Sequence, residues 1–277
     1  MSVPSSPLPR SVIVTRLRAA GCVFAEDEAQ LLIATARTPA DLAAMVDQRA
    51  AGLPLEHILG WAEFCGLRIA VDPGVFVPRR RTEFLVGQAA ALGSVAASRD
   101  GGAPARPRAA VVVDLCCGSG AVGAALAAAL PQVELYAVDI DPAAVRCARR
   151  NVAAAGGQVY EGDLYQPLPD RLRGQVGIVA ANVPYVPTGE IAFLPPEARP
   201  HEPLVALDGG PDGLDFYRAI TASAPALLRS DGIVVVEIGA GQAEPVAALL
   251  TGAGLAPSPP HADLSGVPRA LVARKLH

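Results

Sequence analysis

Val111-Val112-Val113-Asp114-Leu115-Cys116-Cys117-Gly118-Ser119-Gly120 runs from a continuous apolar stretch into a loop of small residues, and residues 121–130 continue it in a helical pattern. A short apolar run that ends in turn residues and is followed at once by a helix is the pattern of a strand buried on both faces of a parallel sheet. Gly118 and Gly120 let the backbone turn tightly and approach a ligand, while the free N–H groups at the helix start face it. The loop is not the dinucleotide fingerprint Gly-x-Gly-x-x-Gly. Cys116 stands at the first glycine position and the third, at Ala121, is displaced and absent, which disfavours a pyrophosphate ligand.

The same rhythm continues downstream. Strands are expected at 134–138, 158–161, 176–181 and 233–238, helices at 142–154, 214–228 and 242–251, and a proline-rich loop at 187–211. Alternating strand and helix specify a doubly wound α/β sheet. Two extended runs, 255–260 and 270–274, have only a loop between them and predict a terminal hairpin with one reversed strand.

Such sheets bind ligands beyond the carboxyl ends of their strands. Asp139 falls there, 19 residues after Gly120. It suits the two hydroxyls of a ribose, because Asp141 before Pro142 already serves as the helix cap. Asp163, after Gly162, offers a second carboxylate on the same edge, suited to an adenine amino group or simply to a turn. Asn182-Val183-Pro184-Tyr185 follows the apolar run 176–181. An amide oxygen, backbone carbonyls and an aromatic ring in this order can hold a planar group that carries N–H, while an ordinary turn also explains Asn and Pro here.

Upstream, residues 11–59 read as helical. Ser11 is expected to cap a first helix that Gly21 stops, Glu26-Asp27-Glu28 to open a second, and Pro39 with Asp41 to open a third ending before Gly52. Trp61-Ala62-Glu63-Phe64 and Leu67-Arg68-Ile69-Ala70-Val71 read as paired strands around Cys65-Gly66, closed by Asp72-Pro73-Gly74. Thr82 or one of its neighbours is expected to cap a helix running to about Leu92, and residues 93–108, without periodicity, to form a mobile loop.

The 277 residues are 51% hydrophobic with a mean hydropathy of +0.34, enough for a sizeable core. No run approaches the ~18 apolar residues of a membrane span, and residues 1–10 lack the pattern of a signal peptide, so a cytoplasmic protein with no membrane partner is expected. The five cysteines form no Cys-x-x-Cys pair, which points to buried thiols and no metal site. A net charge of −4 gives no global attraction for nucleic acid.

The order of the Asp114–Gly120 loop, Asp139, Asp163 and the Asn182–Tyr185 site resembles the class I S-adenosylmethionine-dependent methyltransferases. Pro54-Leu55-Glu56-His57-Ile58-Leu59-Gly60, Val71-Asp72-Pro73-Gly74-Val75-Phe76-Val77-Pro78-Arg79, Thr82-Glu83, Leu207-Asp208-Gly209-Gly210-Pro211-Asp212-Gly213-Leu214 and Glu237-Ile238-Gly239 closely resemble the HemK/PrmC family. Members of that family methylate the glutamine amide in the Gly-Gly-Gln tripeptide of peptide-chain release factors. The resemblance implies a mostly parallel seven-stranded sheet with one reversed strand at 78–277, a hairpin linker at 61–77 and a helical substrate-recognition domain at 1–60. It implies S-adenosylmethionine as cofactor, bound by Asp114, Cys116, Cys117, Gly118, Ser119, Gly120, Asp139, Asp163, Leu164 and Asn182. It also implies a release factor as protein partner, a monomer, and a substrate amide held by Asn182, Val183, Pro184 and Tyr185. In that arrangement the Asn182 oxygen and the Val183 carbonyl accept the two N–H groups and Tyr185 packs on the amide plane.

The chain departs from the family pattern in three places. Val183 replaces a proline and restores an N–H. Arg80-Arg81 replace a proline and an acid, making the run Arg79-Arg80-Arg81 either a solvated basic turn or a contact for RNA. Cys116 and Cys117 replace glycine and threonine, and Cys116 narrows the loop's backbone choices. Alternative readings are a nucleic-acid amino methyltransferase acting on a flipped adenine or guanine, and a binding protein without turnover.

Overall fold

The computed structural model describes residues 8–97, 109–194, 201–263 and 265–276. The chain starts with α1 (Arg10–Ala19), α2 (Ala25–Thr35), α3 (Pro39–Ala50) and the short α4 (Leu55–Leu59), a turn of helix not separately expected from sequence. Their apolar faces close on a small core of Ile13, Leu17, Leu32 and Val46. Arg49 pairs with the partly buried Glu28 at 2.6 Å. The cap of the first helix differs from expectation, while the third opens at Pro39 with Asp41 in its first turn as expected. Pro9 precedes α1, and Ser11 lies inside it with its carbonyl accepting the Thr15 hydroxyl at 2.9 Å. The third helix is capped by Thr38, whose hydroxyl accepts from the Asp41 N–H at 3.1 Å, with Pro39 at the first helical position.

Strands β1 (Trp61–Phe64) and β2 (Leu67–Ala70) form the expected hairpin, with Cys65 and Gly66 both at positive φ (49° and 73°). That conformation matches the twist of the flanking strands. A 3-10 turn, Arg80–Thr82, then leads into α5 (Glu83–Ala97). Thr82 does not cap this helix, because its hydroxyl donates instead to Glu237. The helix also runs past Leu92 through residues 93–97, where a loop was expected. Residues 98–108 of that loop, 1–7 of the expected tail and 195–200 of the proline-rich loop lie outside the described residues.

Then come β3 (Ala110–Leu115), α6 (Ala121–Ala129), β4 (Val133–Asp139), α7 (Pro142–Val152), β5 (Gln158–Glu161), β6 (Val176–Ala181), α8 (Asp215–Leu227), β7 (Leu228–Glu237), α9 (Ala243–Gly252), β8 (Leu255–Pro257), β9 (His261–Ala262) and β10 (Pro268–Lys275). The sheet order is β5-β4-β3-β6-β7-β10-β8, with the two-residue β9 pairing on β10 as an eighth strand beyond the seven expected. All pairs from β5 to β7 are parallel, and β10 runs antiparallel to both neighbours. The α/β class with one reversed strand therefore holds. The terminal pair is present too, but β10 inserts between β7 and β8. β7 starts at Leu228, before the expected 233, because Asp231 takes a φ of 64° and lets the ladder shift register.

Alternate strand residues reach opposite faces. Val113, Leu115, Val179, Val234 and Val236 pack with Tyr217, Ile220 and Val246 of α8 and α9. Val112, Ile178 and Val235 pack with Leu85 of α5 and with Leu126 of α6. β6 is buried along its whole length. Among the described residues no helix is long and apolar enough to cross a membrane.

The hairpin docks on α7 through Asn151, which accepts from the Ala70 N–H and donates to the Ala70 and Ser119 carbonyls, all at 2.8–2.9 Å. His57 Nε2 lies 2.9 Å from the Val75 carbonyl. These ties carry residues 72–82 over the glycine loop.

Candidate active site

At the carboxyl ends of β3, β4 and β6 lies a cavity of about 760 Å³, lined by the glycine loop, Asp139, Asp163, Leu164 and residues 182–186. All of the sequence-derived site residues but Gly120 therefore meet at one place, and Gly120 packs against Ala148 and Val152 instead. Phe76, Arg79, Arg81, Thr82 and Glu202, from outside that set, join them.

The loop is held in left-handed conformations, with φ of 52° at Cys116, 54° at Gly118 and 77° at Gly120. A Cβ on Gly120 would lie 3.0 Å from the Ala148 Cβ, so glycine is required there by space and by dihedral. Asp139 ties the loop to β4. One of its oxygens accepts from the Gly118 N–H at 2.8 Å and the other from the Asp141 N–H at 2.9 Å. Each carboxylate oxygen keeps a lone pair for a further donor. Burial raises the Asp139 pKa, and those backbone hydrogen bonds oppose the rise. Asp163 is exposed and accepts from Gln166 at 3.2 Å. Burial raises the Cys116 and Cys117 thiols well above their ordinary range, which keeps them protonated and poor nucleophiles.

Asp114 is 1% exposed and its carboxylate accepts from the Gly123 N–H at 2.8 Å. It acts on the loop and the first turn of α6 more than on open space. Burial pushes its pKa up from 3.8 to about 7, against the pull of that hydrogen bond. A carboxyl raised on folding stabilises the native state below its unfolded pKa, and that stability is lost as pH climbs from about 4 to about 7. Asp114→Asn, which keeps the acceptor, should therefore gain stability over the native chain as pH rises through this window, by up to about 1.4 kcal/mol per pH unit. Parallel denaturation curves for the two proteins from pH 5 to 8 would disprove the burial cost.

The Asn182 and Tyr185 side chains are held by a buried acid to which sequence reading gave no role. Glu237, at the end of β7 and 2% exposed, accepts the Thr82 hydroxyl on one oxygen and Arg81 Nε (3.2 Å) and the Tyr185 hydroxyl (3.3 Å) on the other. Arg81 also donates to the Tyr185 hydroxyl at 2.6 Å. Because the Thr82 hydroxyl donates to a carboxylate, it can only accept from Asn182. The Asn182 Nδ2 accordingly donates to it at 3.3 Å, which leaves Oδ1 as the open acceptor. Burial, with Glu237 close by, pushes the Tyr185 pKa up to about 12, so the ring stays neutral. Val183 is 2% exposed and belongs to the sheet core.

Behind Tyr185, Gln242 donates to the Tyr185 and Gly213 carbonyls (3.0 and 3.3 Å) and accepts from the Gly239 N–H at 2.9 Å. The Val186 N–H donates to the Leu207 carbonyl at 3.0 Å and the Val186 carbonyl accepts from the Gly209 N–H at 2.8 Å, tying residues 207–209 to the chain just after Tyr185. The sequence marked Glu237-Ile238-Gly239 and residues 207–214 only as stretches of family resemblance, and Gln242 only as a polar residue at the start of an expected helix.

The arginine run is not a free basic turn. Arg79 pairs with the buried Glu202 at 2.5 Å and Arg81 with Glu237, while only Arg80 projects outward, 82% exposed and 3.9 Å from Glu63. Two of the three arginines are thus paired with buried acids at the cavity, although their side chains stay partly exposed.

Residues 103–191 match the family model of the methyltransferase small domain. The chain is 39% identical over 241 residues to the release factor glutamine methyltransferase of Geobacter sulfurreducens, covering 85% of this chain and 79% of that one. It is 41% identical to the enzyme of the same name from Streptomyces coelicolor (83% and 79% covered) and 36% identical to that of Bradyrhizobium diazoefficiens (96% and 94% covered). Among solved structures, a methyltransferase from Pyrococcus furiosus is similar at a TM-score of 0.53 and 15% identity, covering 76% of this chain and 90% of that one. A Thermus thermophilus 16S rRNA N2 G1207 methyltransferase in complex with AdoMet and guanosine is similar at 0.50 and 19%, covering 78% and 49%. These two share the fold.

Proposed function

Because the chain belongs to the release factor glutamine methyltransferase family, we propose that it transfers a methyl group from S-adenosylmethionine to the side-chain amide nitrogen of the glutamine in a release factor's Gly-Gly-Gln motif. The observation that carries this reading is the fixed orientation of the Asn182 amide, donor to Thr82 and acceptor outward.

The cavity fits the cofactor on the chain's own terms. The glycine loop leaves no side chain at its closest turn, Asp139 keeps acceptor capacity beside it, and Asp163 and Leu164 extend the same edge. S-adenosylmethionine, when bound, supplies an electrophilic methyl on a sulfonium. The protein supplies position. An amide nitrogen is a weak nucleophile because its lone pair is delocalised into the carbonyl, so holding it in line matters more than acid or base. Asn182 Oδ1 accepts one substrate N–H and the Val183 carbonyl accepts the other, and both stabilise positive charge as it develops on nitrogen. Pro184 offers no competing donor. Tyr185, pinned by Arg81 and Glu237, presents its ring to the amide plane. The extra proton leaves to water.

Incubation with labelled S-adenosylmethionine and a release factor, followed by peptide mapping, should place the label on the Gly-Gly-Gln glutamine. Label on nucleic acid instead, or none on a release factor, would refute the proposal. Asp139→Ala should weaken S-adenosylmethionine binding by one or two charge-assisted hydrogen bonds, each about 1.5–3 kcal/mol. Unchanged affinity in calorimetry would place the ribose elsewhere.

A further inference from the structure

Arg79 and Glu202 come from segments 123 positions apart and both line the cavity. The Glu202 side chain is 1% exposed. Its Oε1 accepts from Arg79 at 2.5 Å and from the Val77 N–H at 3.3 Å, while its Oε2 is buried with no hydrogen-bond partner among the described residues. A buried carboxylate oxygen without a donor is costly, and its retention asks for a ligand that supplies one. Arg79 is 36% exposed and uses one of its five N–H donors on Glu202. The pair sits beside the glycine loop. Arg79 lies over the Phe76 ring at 5.3 Å, and Phe76 Cβ is 4.0 Å from where a Gly118 Cβ would be.

An open carboxylate oxygen next to a guanidinium with spare donors complements an ammonium next to a carboxylate, the two charged groups of an α-amino acid. We propose that Glu202 and Arg79 bind the α-ammonium and the α-carboxylate at the methionyl end of S-adenosylmethionine. This assignment rests on the cofactor reading above. It completes the ligand edge, since Asp139 and Asp163 stand on the strands to one side of the loop and Asn182 on the other.

Calorimetric titration of the full chain with S-adenosylmethionine and with 5′-methylthioadenosine, which keeps the nucleoside and sulfur but lacks both α-groups, tests it. Glu202→Gln keeps the side chain's shape and should weaken S-adenosylmethionine binding about tenfold or more while leaving 5′-methylthioadenosine within about twofold. Arg79→Gln should show the same split and stands in if Glu202→Gln fails to fold. Equal losses for both ligands overturn the assignment, as does an unchanged S-adenosylmethionine affinity accompanied by a raised KM for the release factor, which would give the pair to the peptide. A wild-type chain that binds neither ligand defeats the cofactor reading itself.

Discussion

Asn182→Ala is expected to lower methyl transfer about 10²-fold or more, a barrier increase of about 3 kcal/mol, while S-adenosylmethionine affinity stays close to that of the native chain. The substitution removes the acceptor that faces the substrate amide but leaves the glycine loop and Asp139 untouched. It also leaves Thr82 still donating to Glu237, so the pocket wall loses a weak donor and nothing else. Single-turnover rates and a cofactor titration on the same preparation separate the two effects. A variant that keeps most of its rate would remove Asn182 from the mechanism, and one that loses the cofactor as well would make it a binding residue.

Gly213→Ala should be the most damaging of the small changes. Gly213 has a φ of 74°, and a Cβ there would overlap the Tyr185 carbonyl oxygen and come within 2.7 Å of Gln242 Nε2. The left-handed dihedral costs about 1 kcal/mol for a residue with a side chain, and overpacking adds about 1–3 kcal/mol. The neighbouring backbone cannot yield without moving Tyr185, so activity should fall with stability. Gly241→Ala is the control, with a similar φ of 78° but nothing within 4 Å of its Cβ. Denaturant unfolding of both variants reads the difference. Equal destabilisation would mean that the dihedral alone is responsible and that the segment behind Tyr185 has room to move.

The sheet was legible in the sequence because buried parallel strands are apolar runs whatever they pair with. β3, β4 and β6 each carry a candidate site residue at or just beyond the carboxyl end, and those local neighbours were enough to place the glycine loop, Asp139 and Asn182 beside one cavity. What stayed hidden is the choice of distant partners. Thr82 and Glu237 are 155 positions apart and Arg79 and Glu202 are 123 apart, and nothing in the spacing of such residues says that they meet. The arginines illustrate this. Read as neighbours they form one basic cluster, yet folding turns Arg79 and Arg81 onto separate buried acids and leaves Arg80 outward. Helix caps were missed for a smaller reason: Ser11 lies one residue inside a helix that starts at Arg10, and the Thr82 hydroxyl is taken by the distant Glu237.

The reversed strand β10 has a consequence for how the molecule is made. It follows every other described strand in the chain, yet it lies between β7 and β8, with Ala270 paired opposite Glu237. Until it leaves the ribosome, β7 is an open edge and Glu237 is anchored from one side only. The nascent sheet can assemble vectorially from β3 outward, but the acid that orients Thr82, Arg81 and Tyr185 is locked only when β10 slides in. A chain lacking residues 268–275 would therefore leave β7 as a bare strand edge, open to pairing with other chains, and Glu237 without its Ala270 neighbour.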